Sequence, residues 1–114
     1  MFEQTIYNIP YIDFDYNAVP YKFSIKLAGK TFTFEFEYNQ RGDFYTCNLY
    51  RGGEPLVLGD ILRYGRPLFG TVRNNRFPKV DIMPLCISQT NIDRITKDNM
   101  GRQVKLYIYE QVAK

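Results

Sequence analysis

From Tyr21 to Leu27 the apolar residues Tyr21, Phe23, Ile25 and Leu27 alternate with Lys22, Ser24 and Lys26. A second run alternates Phe32, Phe34, Phe36 and Tyr38 with Thr33, Glu35 and Glu37, and a third follows over residues 44–50. A period of two marks strands with one buried face, and short polar turns between such runs mark antiparallel neighbours. Ala28-Gly29-Lys30 joins the first two runs, with Gly29 supplying the positive φ that a tight hairpin needs. Asn39-Gln-Arg-Gly-Asp43 has turn composition, and Arg51-Gly-Gly-Glu-Pro55 closes another tight turn. The polar faces agree with the pairing: Lys22 and Lys26 on one strand meet Glu35 and Glu37 on the next, and such cross-strand pairs contribute about 0.2–1 kcal/mol each.

The rest of the chain is less regular. Residues 1–19 carry Ile6, Tyr7, Ile9, Tyr11, Ile12, Phe14 and Tyr16 around Pro10. Pro10 cannot donate to a central ladder, so this stretch reads as an edge strand or an extended arm. Leu56-Val-Leu58 is a short apolar run, and Gly59 and Gly65 after it predict a loop or short strand. Residues 66–79, with Pro67, Gly70, Asn74-Asn75 and Pro78, predict a long loop or irregular hairpin. Residues 80–88 predict a strand kinked or bulged at Pro84. One short helical turn near 91–98, capped by Thr90 or Asn91 and stopped by Gly101, is the most helix the pattern allows. Val104, Leu106 and Ile108 alternate with Lys105, Tyr107 and Tyr109 in a final strand over 103–110. The expectation is an all-β fold, an antiparallel meander closing into a barrel or a sandwich. It divides into an arm or edge strand at 1–19 and a single β domain at 20–114.

The length of 114 residues supports one core. A chain of this size buries roughly 65% of its unfolded surface on folding. Ten Tyr and nine Phe without Trp make that core aromatic, and leave tyrosines able to serve at wet protein contacts. The start lacks the basic and apolar regions of an export signal, and no apolar run approaches the ~20 residues that span a bilayer. Synthesis in the cytoplasm is therefore the expectation. Cys47, in an alternating strand, reads as a small core residue rather than a redox group.

The net charge of +3 is too small to identify a nucleic-acid partner. Its distribution says more. Arg51, Arg63, Arg66, Arg73, Arg76 and Lys79 stand against Glu54 and Asp60 alone, interleaved with Tyr64, Phe69 and Phe77. Arginines among aromatics suit either a protein interface or single-stranded nucleic acid bound on a small barrel. The first reading is preferred and the second kept as the alternative. A carbohydrate module stacking sugars on Tyr is a third reading, made less attractive by the absence of Trp.

Catalytic chemistry finds little support. With no His in the chain, Ser–His and Cys–His nucleophiles and most zinc chemistry drop out. Asp13 and Asp15 share a face but lack further oxygen ligands nearby for a hard cation. Glu35 and Glu37 resemble an acid/base pair less than the outer surface of a sheet. Arg41-Gly42-Asp43 reads as a turn, and Gly52-Gly53 precedes Glu54-Pro55 instead of the Lys-Ser/Thr of a phosphate loop. No enzyme, no cofactor and no metal are expected.

Three segments together carry a family likeness: residues 23–39, residues 42–50 with the aromatic strand Phe44-Tyr-Thr-Cys-Asn-Leu-Tyr50, and Glu54-Pro-Leu-Val-Leu-Gly59. With Leu62, Leu68 and the closing Gly101-Arg-Gln-Val-Lys-Leu-Tyr-Ile-Tyr109, the chain resembles the phage baseplate plug family of small tail proteins over residues 20–110. Phe44 stands where the family carries Trp and Asn48 where it often carries Asp, and both preserve the strand. The resemblance implies a structural, non-enzymatic virion component in the baseplate hub of a long-tailed phage or prophage, made in the host bacterial cytoplasm. Its implied partners are hub or tail tube proteins, with homo-oligomerisation allowed and no membrane or nucleic acid required. The interface candidates are Tyr7, Tyr11, Phe14, Arg63, Tyr64, Arg66, Phe69, Arg73, Arg76 and Phe77.

Overall fold

The computed structural model describes residues 10–13, 17–70, 72–88 and 91–110. Seven strands are found among them: β1 (Tyr11–Ile12), β2 (Tyr21–Leu27), β3 (Lys30–Asn39), β4 (Phe44–Arg51), β5 (Glu54–Ile61), β6 (Val80–Leu85) and β7 (Lys105–Glu110). They form two antiparallel sheets, ordered β2-β3-β4-β5 and β1-β7-β6. The sheets do not close into a barrel, so the sandwich is the form the meander takes. No helix occurs among the described residues, and so none long and apolar enough to cross a membrane.

The alternating runs become β2, β3 and β4. Tyr21 faces Phe36, Phe23 faces Phe34 and Ile25 faces Phe32, which puts the aromatic rows on one side. Phe23, Phe34 and Phe36 lie near-parallel with ring centroids 6.0–6.1 Å apart. Phe32, Phe34, Phe36, Tyr45, Cys47 and Leu49 are almost fully buried. Each aromatic so placed gains about 1.5–3 kcal/mol from leaving water. Val80 and Ile82 from β6, Leu106 from β7 and Val104 just before it supply the facing layer. Burial pushes the free Cys47 thiol well above its ordinary range, consistent with a packing role.

The turn between β2 and β3 contains Ala28 and Gly29 alone, both left-handed at φ 51 and 82. That is the primed geometry matching the twist of two paired strands. On the polar face Lys22 stands opposite Glu35, as expected, whereas Lys26 stands opposite Thr31 instead of a glutamate. Lys22 rests its ammonium 4.7 Å over the Tyr50 ring, and Tyr50 donates its hydroxyl to Glu35 Oε1 at 3.2 Å.

β5 departs from expectation. It runs through Gly59 to Ile61, so the meander has four strands rather than three. The pairing with β4 slips between Cys47 and Leu49 and again between Leu49 and Tyr50, and Gly59 takes φ 76 in the first slip. A bulge of this kind absorbs a left-handed residue without ending the strand. Asn48 holds it closed: its Oδ1 accepts the Gly59 N–H at 2.7 Å, while its Nδ2 donates to Glu35 at 3.1 Å and Glu37 at 3.4 Å. One amide therefore ties together three strands.

The segment after β5 folds back along the outer edge of β6. Gly65 and Leu68 donate their N–H groups to Pro84 and Ile82 carbonyls at 2.8 and 2.9 Å, and Cys86 N–H donates to the Tyr64 hydroxyl at 3.0 Å. Pro84 sits inside β6 without a kink because β6 is an edge strand of its sheet. Between β6 and β7 a helix-like turn lies at Thr96–Met100, where Met100 N–H meets the Thr96 carbonyl at 3.0 Å. Thr96 and Asn99 exchange side-chain and backbone bonds of 2.8 and 3.2 Å that close it. Asn91 is exposed and Thr90 lies outside the described residues.

Candidate protein-contact surface

The basic segment divides into residues that hold the loop and residues that leave it. Phe69 and Phe77 are each only 3% exposed and pack on one another at 5.6 Å, with Phe69 continuing to Phe34 at 6.2 Å. Their burial has one cause: a segment without periodicity hides which of its aromatics face inward, and here a deep loop extends the core over the edge of the sheets. Phe69 is held there at φ 63, a left-handed conformation rare for a bulky side chain, with its N–H donated to Asp60 Oδ2 at 3.0 Å.

Arg73 and Arg76 serve the same loop. Arg73 donates to Asp81 on β6 at 2.7 Å with its side chain mostly covered, and Arg76 pairs with Glu54 at the start of β5. Arg76 also offers its carbonyl to Arg51 at 3.0 Å. The Arg76 guanidinium holds the Glu54 carboxyl below its usual range. Both arginines therefore pin residues 73–76 across the two sheets.

Arg63 and Arg66 behave differently. Both are exposed, and they border a cleft of about 220 Å³ with Asp60, Ile61, Pro67 and Gly70. Arg63 also lines a wider groove of about 540 Å³ with Tyr64, Phe44, Asp93 and Arg94. Tyr64 is half-buried, its hydroxyl taken by Cys86. At the far wall of that groove Arg94 reaches the Gly42 and Asp43 carbonyls at 3.4 and 3.3 Å and the Asp43 carboxylate at 3.7 Å. The surface is thus a basic rim around shallow grooves, on a loop whose backbone is fastened to β6.

Asp43 belongs to the Arg-Gly-Asp turn, and its carboxylate is engaged inside the fold. It accepts the Tyr38 hydroxyl at 2.6 Å and the Lys97 N–H at 3.0 Å. The Tyr38 bond is the main reason that its carboxyl sits below the usual value and that Tyr38 is pushed up to about 12. Glu35 and Glu37 lie on the outer face of the sheet among Asn48 and Tyr50, and Glu37 also borders a cleft of about 350 Å³ with Tyr38 and Lys97. Among the described residues no three His, Cys, Asp or Glu side chains come together as a metal group. Asp13 is exposed and Asp15 lies outside the described residues.

Of the N-terminal candidates, Tyr11 is 43% exposed on β1. It is edge-on to Tyr107 at 5.9 Å, with the Lys105 ammonium 4.4 Å from its ring centre. Tyr7 and Phe14 lie outside the described residues. The nucleic-acid alternative loses two of its three stacking rings, since Phe69 and Phe77 are in the core. Asn48 and Asp43 were not singled out as organising residues by sequence reasoning. Both are polar residues in or beside turns, and their partners lie on other strands.

A search of the curated proteins returns no match. A family model described as "Cyanophage baseplate Pam3 plug gp18" matches residues 9–111, which includes the whole stretch carrying the resemblance noted above and β1 besides. The chain belongs to this family of phage baseplate plug proteins.

Proposed function

We propose that the chain is a non-enzymatic structural part of the tail baseplate, seated in the hub and held there by protein contacts. The family match over residues 9–111 carries this reading. The two-sheet body acts as a rigid wedge, residues 20–114 forming one β domain. Residues 1–19, with Tyr7, Tyr11 and Phe14, form an arm or edge strand, of which β1 pairs with β7. The rim made by Arg63, Tyr64 and Arg66 is the second grip on neighbouring hub or tube subunits. Arginine at such a rim suits carboxylates of a partner, because its planar fork pairs with them at two points. Binding energy concentrates in a few such anchors. The protein is made in the host cytoplasm and resides in the virion tail.

The test separates contact from folding. Replacing Arg63 and Arg66 together by Ala should leave the thermal unfolding midpoint unchanged and abolish incorporation into tail particles, scored by immunoblot of purified particles. Replacing Arg73 and Arg76 should instead lower the midpoint. Normal incorporation of the Arg63/Arg66 variant, together with normal incorporation of a chain lacking residues 1–16, would refute the reading.

A further inference from the structure

The four-stranded sheet ends in an open edge at β2. In a two-residue hairpin the residues flanking the turn exchange both backbone bonds, and alternate pairs do so after them. Leu27, Ile25, Phe23 and Tyr21 therefore spend their N–H and C=O groups on β3, while those of Lys22, Ser24 and Lys26 point away from the sheet. Among the described residues no strand lies beyond them. The apolar row behind this edge is also unfinished: Tyr21, Phe23 and Ile25 are only partly buried, whereas Phe32, Phe34 and Phe36 beside them are sealed. At the Leu27 end the edge opens on a cleft of about 470 Å³ with Leu27, Val80 and Ile108 among its walls and Lys26 and Lys79 on its rim.

We infer that the β2 edge is a strand-addition site for an extended acidic segment of another protein, with an apolar residue of that segment seated in the cleft. Main-chain bonds to Lys22, Ser24 and Lys26 supply the affinity and alternate side chains the selectivity. Both lysines are exposed on the outer face of the sheet, opposite where every second residue of an added strand would stand. The charges also exclude the simplest rival. Antiparallel pairing of two copies about Ser24 sets Lys22 against Lys26 twice, and other registers that keep the same bonds still crowd lysines together. Edge lysines guard against self-pairing in this way, and they select an acidic strand for the same reason. The inference deepens the proposed protein-contact role, since it names how one partner is held.

The probe is a synthetic peptide alternating Thr and Glu and ending in Leu, titrated into the isolated chain and read by amide NMR shifts. Shifts should gather on Lys22, Ser24, Lys26 and the cleft. Ser24→Pro removes one outward N–H while sparing the β2–β3 ladder, and should weaken binding about tenfold. Should that variant not fold, Lys22→Glu with Lys26→Glu decides, because it should reverse the preference toward the same peptide carrying Lys. No shift at millimolar peptide, shifts gathered elsewhere, equal binding of Glu and Lys peptides, or dimerisation of the chain through β2 would each overturn the inference. The assay needs no baseplate, so its failure is distinct from failure of the Arg63/Arg66 experiment.

Discussion

Phe69 combines two opposed effects that a pair of substitutions can separate. Its ring is buried between Phe34 and Phe77, and truncating such a ring to Ala costs about 3–5 kcal/mol through lost transfer energy and a residual cavity. Its backbone sits at φ 63, where an L side chain costs about 1–2 kcal/mol relative to the right-handed region. Alanine keeps that penalty and glycine does not. Glycine elsewhere is worse than alanine by about 0.5–1 kcal/mol. Phe69→Gly should therefore equal Phe69→Ala in stability or exceed it by up to about 1.5 kcal/mol, although it removes one more carbon.

Leu68 provides the control. It is 2% exposed on the same loop and is not among the residues with positive φ, so there Ala should be better than Gly by about 0.5–1 kcal/mol. The difference between the two Ala-to-Gly steps isolates the backbone strain at about 1–2 kcal/mol. With a urea slope of about 1–3 kcal/mol/M, that is a midpoint displacement readable in equilibrium denaturation followed by tyrosine fluorescence. If glycine trails alanine equally at 68 and 69, Phe69 is not strained and the account of the loop fails.

Further outcomes follow from the turns and polar bridges. Ala28→Asn should raise stability by about 0.5–1 kcal/mol, since Asn tolerates the left-handed region at the first position of this turn, and Gly29→Ala should lower it by a similar or larger amount; thermal melts decide both. Asn48→Asp turns a donor to Glu35 and Glu37 into a third carboxylate, which should cost about 1–2 kcal/mol at neutral pH and recover as the medium is acidified through the carboxylate range. Asp43 is held below its ordinary 3.8 mainly by the Tyr38 hydroxyl, so its stabilisation is present above that value and lost as pH falls through the lower folded one; Asp43→Asn should flatten the acid limb of urea midpoint against pH. The same bond pushes Tyr38 up to about 12 from 10.0, so its share is present below pH 10 and lost as pH rises toward the folded value, and phenolate absorbance should show a late-titrating tyrosine that Asp43→Asn brings forward.

What the sequence made legible was whatever rests on local period. The β2, β3 and β4 strands could be read from alternation because one side of each faces the core, and Gly29 marked the hairpin because few residues adopt its φ. β5 was cut short because Gly59 reads as a breaker, and only the Asn48 amide, eleven residues away, lets a strand pass through it. The loop over residues 62–79 shows the same limit more strongly. Arg63, Arg66, Arg73 and Arg76 look alike in sequence, and their division depends on Asp81 and Glu54 arriving from β6 and β5. The strand edge proposed for partner binding shows in sequence only as alternating lysines, and that β2 ends the sheet is visible only in the fold.

That division bears on how the proposed contact surface would bind tightly. Ordering a loop on binding offsets much of what its contacts contribute, at about 0.5–1.5 kcal/mol for each immobilised side chain. Here Gly65, Leu68 and Tyr64 already tether the backbone to β6, so only the Arg63 and Arg66 side chains remain to be ordered. Tyr64→Phe tests whether this tether matters for assembly. The substitution keeps the ring and every charge but leaves the Cys86 N–H without its acceptor, a loss of about 1–3 kcal/mol in stability. Incorporation into particles should fall as well, while the double Arg variant loses incorporation at full stability. A Tyr64→Phe chain that melts early yet assembles as well as the parent would show that the partner, and not the tether, sets the loop's shape.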